Sequence, residues 1–177
     1  VEKVSGTGFV TVTSTTENTG SAADGQSIDD SDQNTIVFRN NVLKMTVLNT
    51  PQEEASGAVI ISGGGSTNIN RSWYEGNRII SNYMNVNHGT GFYGVGSNAT
   101  YTGNTFVKEG SRDDYRTISF NGGTSIGHEY IDSEFEGGAS FDDYVMRSGY
   151  TQEFTVGWTL HLTTTPGATV TVTDYTS

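Results

Sequence analysis

Two copies of one acidic tripeptide carry the first chemistry in this chain: Asp113-Asp114-Tyr115 and Asp142-Asp143-Tyr144, with Arg112, Arg116 and Arg147 close by. The copies are separated by the same interval as Tyr101 and Tyr130. Laid side by side, Asp113, Asp114, Asp142 and Asp143 would offer hard oxygen ligands, which suits calcium, an ion that takes about six to eight of them. Calcium is the one cofactor the residues point to, and nothing else in the sequence requires one. The plainer reading is a pair of solvated turns whose aspartates cap backbone N–H groups and lean on the arginines.

The remaining polar residues offer less. His88, His128 and His161 are far apart in sequence, without the spacing of a metal pair. His161 alternates with Leu160 and Leu162 and is expected to face solvent. No Gly-x-Ser-x-Gly elbow occurs, and Gly63-Gly64-Gly65 lacks the Lys-Ser/Thr and helix of a phosphate loop. Trp73-Tyr74 and Phe92-Tyr93 put one ring on each face of a strand, so one of each pair is expected to be exposed. Trp73 and Tyr93, with Arg116 and Arg147, are therefore the candidates for contact with a glycan or a protein partner.

Composition removes several classes. Nine basic against twenty acidic residues give a net charge of −11. That excludes the basic stripe of a nucleic-acid binder and the cationic patch that docks on anionic lipid. No apolar run reaches a membrane span, and the absence of cysteine removes thiol catalysis and zinc–thiolate sites. The chain opens at Val1 without an initiator Met or a signal segment, which points to a processed protein or a segment of a longer one.

The elements that would position these residues are strands. Runs rich in Val, Ile, Thr, Phe and Tyr alternate with Gly, Asn, Ser and Asp, and no stretch holds a helical apolar period. A phrase of aromatic-x-x-Asn/Ser-x-aliphatic or Phe recurs four times. It reads Phe38…Asn41…Leu43, Tyr74…Asn77…Ile79, Tyr101…Asn104…Phe106 and Tyr130…Ser133…Phe135. If each phrase belongs to one coil of a solenoid, the aromatics stack in a column and the turn Asn residues form an amide ladder.

In these phrases the sequence resembles right-handed parallel β-helix proteins of the pectate-lyase-like architecture, over roughly residues 35–146. The resemblance implies a sugar-acid lyase or polysaccharide hydrolase as one activity to test. In that case the four aspartates would hold a metal and Arg116 or Arg147 would act as base. No catalytic signature of such a family is matched residue by residue.

The chain is thus read as all-β, a short parallel β-solenoid with a C-terminal hairpin, with a jelly-roll β-sandwich as the alternative fold. Residues 1–16 read as an N-terminal strand able to join subunits, 17–34 as a flexible acidic linker, 35–150 as the solenoid body, and 151–177 as a hairpin turning at Pro166-Gly167. The function expected is a non-enzymatic structural or recognition component of a virion, surface filament or extracellular surface protein. Such a component would assemble with itself or with other subunits. A polysaccharide lyase or hydrolase, and a calcium-stabilised glycan-binding module, are the competing readings.

Overall fold

The structure, a computed structural model, describes residues 2–3, 35–46, 57–61, 71–88, 98–121 and 123–171; Tyr93 and the acidic segment 17–34 lie outside the described residues. Short β-branched and aromatic runs form strands wherever Gly, Asn or Asp lets the chain bend between them. In chain order these are β1 (Glu2–Lys3), β2 (Thr35–Arg39), β3 (Val42–Met45), β4 (Val59–Ile61) and β5 (Arg71–Glu75). They continue as β6 (Arg78–Ser81), β7 (Met84–His88), β8 (Thr100–Thr102), β9 (Thr105–Lys108) and β10 (Arg116–Phe120). Then come β11 (Ser125–Ile131), β12 (Glu134–Glu136), β13 (Tyr144–Met146) and β14 (Gln152–Gly157). No helix occurs among the described residues.

The strands form three sheets, ordered β2-β5-β8-β11-β14, β1-β3-β6-β9-β12 and β4-β7-β10-β13. Every pairing is parallel. From β2 onward the chain visits the first, second and third sheet in turn, and each strand pairs with the one three places later. The fold is therefore all-β and parallel, and the antiparallel jelly-roll is not what forms. Buried side chains from all three sheets share one core, among them Tyr74 and Tyr101 from the first, Ile79 and Phe106 from the second, and Val86 and Ile118 from the third.

The corner from the first sheet to the second is the most regular part of each circuit. Asn40, Gly76, Gly103 and Asp132 occupy it with left-handed φ of 56°, 61°, 60° and 51°. Glycine fits such a turn without penalty, and Asn and Asp tolerate it better than other residues. Stacking here is close: a Cβ on Gly76 would meet Asn40 Oδ1 at 2.6 Å. In the next circuit the register Ile131↔Gly157 puts Trp158 at this position, and Trp158 does not take up a positive φ. The chain leaves the stack there.

Described strands at both ends join the parallel stack. Glu2 and Lys3, the described part of the N-terminal strand, pair with Lys44 and Met45 of the same chain. At the other end β14 lies within the range assigned to a hairpin, yet it pairs in parallel with β11 and extends the first sheet. The Pro166-Gly167 turn forms, closed by Ala168 N–H donating to Thr165 O at 3.1 Å. Its flanks carry no strand through 158–171, and all of these residues are exposed. The rest of the second arm, 172–177, lies outside the described residues.

Candidate functional site

The two Asp-Asp-Tyr turns precede β10 and β13, neighbours in the third sheet. Their strands pair with Ile118 opposite Tyr144, so Tyr115 and Tyr144 do not face each other although they close identical tripeptides. The cause is the length of the path into each strand. Phe106 and Phe135 are paired in the second sheet, and the chain from Phe106 to Ile118 is longer by three positions than the chain from Phe135 to Tyr144. That difference displaces the copies along the strand by about 10 Å, so the four carboxylates do not stack. Tyr115 is buried while its sequence counterpart Tyr144 is exposed. Among the described residues no group of three or more His, Asp or Glu is placed to hold a metal.

The polar groups of each turn are bonded within the turn or to the neighbouring circuit. Arg112 grips Asp114 through two hydrogen bonds of 2.8 and 2.6 Å, which hold the Asp114 carboxyl below the usual carboxylate range. Asp142 N–H donates to Ser140 Oγ at 3.0 Å, and Asp143 O accepts from Thr117 N–H at 2.7 Å. Asp113 is exposed. Arg116 donates to Tyr115 O at 2.6 Å, and Arg147 to Asn121 O at 3.0 Å. Trp73 is half exposed on the outer face of β5 while Tyr74 points inward, one ring on each face as the sequence indicated.

The stacked phrases of the sequence lie in register. Phe38 pairs with Tyr74, Tyr74 with Tyr101, and Tyr101 with Tyr130. Their rings form a near-parallel column with centroid separations of 4.8, 4.7 and 4.4 Å. Beside it runs the amide ladder. Asn104 Oδ1 accepts from Asn77 N at 2.9 Å and Nδ2 at 3.0 Å, and Asn77 Oδ1 accepts from Asn41 N at 2.9 Å and Nδ2 at 3.2 Å. Asn104 Nδ2 also donates to Tyr74 O at 2.7 Å. Ser133 is too short to extend the ladder, and its buried hydroxyl has no hydrogen-bond partner.

A second buried polar group was not legible in the sequence. His88 on β7 and His128 on β11 are distant in the chain, yet their ring centroids lie 3.8 Å apart with the planes tilted by 34°, both fully buried. His88 Nε2 lies 2.8 Å from Tyr130 Oη, and its Nδ1 has no hydrogen-bond partner. Burial, then the neighbouring His128, push the His88 imidazole well below the usual histidine range. Ala99 N–H donates to His128 Nδ1 at 3.3 Å, which leaves the proton on Nε2, 2.8 Å from Ser125 Oγ.

Further along the third sheet, Tyr115 donates to Asn85 Oδ1, and burial pushes its phenol up to about 12. Lys108 sits 4.8 Å from the centre of the Tyr115 ring, and Arg112 lies 5.5 Å from that of Tyr83. The groups of catalytic type, the two histidines, Ser125 and Tyr115, are thus enclosed in the core and bonded to one another or to its amides. Their geometry disfavours a charge on His88 and aligns strands of two sheets. Comparison of the chain with protein-family models, curated proteins and solved structures found no match.

Proposed function

We propose that the chain is a short right-handed parallel β-helix acting as a non-enzymatic structural component of a larger assembly outside the cytoplasm. A virion, a surface filament or an extracellular surface protein would use it in this way. The observation that carries the reading is where four reactive side chains go: His88, His128, Ser125 and Tyr115 are buried and serve ring contacts or internal hydrogen bonds, while Asp113, Asp142 and His161 stay exposed and unassembled. The exposed charges support it too, paired as Arg39–Glu75, Arg78–Glu136 and Arg112–Asp114 along the outer surface.

A glycan-contacting role rests on Trp73, an indole standing out from the first sheet. The test is incubation of the chain with uronate and neutral polysaccharides, with and without calcium. The expected result is no new reducing ends and no unsaturated product. Product formation that Asp113→Asn or Asp142→Asn abolishes would overturn the structural reading in favour of a lyase or hydrolase.

A further inference from the structure

We propose that the segment leaving the stack at Trp158 is an intersubunit strand, and that its partner is the uncovered end of a second copy of this chain. The inference rests on the assembly reading above. Continuing the register Ile131↔Gly157 past the corner would lay Leu160 on Glu134, His161 on Phe135 and Leu162 on Glu136 of β12. They are not there. Among the described residues the far edge of β12 is unpaired, and the strand that would fill it is exposed elsewhere on the same chain. That register sets His161 over Phe135 on the core side and Leu160 and Leu162 beside Glu134 and Glu136 on the outer side; edge and segment match in length and are parted by a blocked turn, which gives them the makings of strand exchange.

Three properties of the segment favour another copy as occupant. Trp158, Leu160 and Leu162 recur at the strand period and are 75%, 66% and 54% exposed. Residues 158–171 contain no Asp, Glu, Lys or Arg, so they can approach an acidic copy without like-charge repulsion. The root is fixed: Thr159 N–H and Oγ1–H donate to Asp132 Oδ1 and Oδ2 at 2.6 and 2.5 Å. The receiving end is apolar as well, with Phe135, Tyr144, Met146 and Tyr150 exposed on the last strands and the turn that follows them.

Two measurements test this. The first is the solution mass of the full chain by light scattering, against a Leu160→Asp/Leu162→Asp variant. The expected result is a defined oligomer for the parent chain and a monomer for the variant, with unchanged circular dichroism. The second uses the absence of cysteine. A Phe135→Cys chain mixed with a mass-tagged His161→Cys chain should form the mixed disulfide at least fivefold above either like pair, because that register sets these residues opposite each other. A parent chain that stays monomeric at high concentration overturns both this interface and assembly. An oligomer that survives both aspartates, or a failure of the mixed disulfide, overturns the interface alone. Glycan turnover would overturn the structural reading while leaving the interface standing.

Discussion

The corner between the first and second sheets and the corner before the third sheet solve the same problem differently. At the first, a two-residue turn joins the strands in every described circuit. Phe38, Tyr74, Tyr101 and Tyr130 in one sheet therefore advance by the same steps as Leu43, Ile79, Phe106 and Phe135 in the other. In the third sheet Val59, Val86, Ile118 and Tyr144 advance by different steps. A motif that repeats with the circuit stacks at the first corner. One that repeats at the same interval beside the third sheet falls out of step. Sequence spacing reports spatial stacking only where the connection length is constant.

The largest test of that contrast removes a ring from each region. Tyr101→Ala deletes a buried side chain stacked on both faces and should cost about 3–5 kcal/mol in denaturant unfolding. Tyr144→Ala, at an exposed position of the third sheet, should cost under about 1 kcal/mol. Equal losses would break the distinction.

Next in size is the ladder. Asn104→Ala leaves Asn77 N–H and Tyr74 C=O without their amide partner inside the core, for an expected loss of about 2–4 kcal/mol. Asn104→Ser, which copies the natural break at Ser133, should recover less than half of that.

The histidine pair bridges the first and third sheets and gives the contrast a pH dependence. The His88 pKa is lowered in the folded protein, so the unfolded chain takes up the proton first. Stability from this group is complete above the unfolded value of about 6.5 and is lost as pH falls below it, by up to about 1.4 kcal/mol per pH unit. The groups facing the ring are His128, Tyr101, Tyr130 and Phe120, none of them anionic at these pH values. Urea midpoints between pH 7.5 and 5 should fall more steeply for the parent than for His88→Gln. Parallel profiles would sink the assignment.

The smallest effect expected is at the displaced acids. Asp113→Asn and Asp142→Asn should each change stability by less than about 0.5 kcal/mol. Millimolar calcium should move the melting temperature by less than about 1 °C, since a site that is not assembled contributes no linkage. A calcium-dependent rise abolished by either substitution would show that the two turns come together in solution.

Much of the architecture was legible in residues such as Tyr74, Asn77 and Ile79, because one short phrase carries the interior ring, the ladder amide and the next core residue. The out-of-step aspartates were not, because the chain length between Phe106 and Ile118 is spent in an irregular loop whose path no local pattern reveals. Nor was the meeting of His88 with His128, which depends on two sheets folding over one core. In the tail the Pro166-Gly167 turn was legible from its residue types, and the Thr-rich run before it carries no strand over the described residues.

The backbone of each circuit here is hydrogen-bonded only to the one before and the one after, along the stacking direction, while the ion pairs Arg78–Glu136 and Lys44–Glu109 each reach across one circuit. A pull between the two ends would therefore load the circuit boundaries in series, and the molecule would be as strong as its weakest boundary. The boundary of β8, β9 and β10 on β11, β12 and β13, built from three short ladders, would yield before the boundary that contains the longer ladder of β2 on β5. A part built this way resists sideways bending with all three sheets together. Under tension it would come apart one layer at a time.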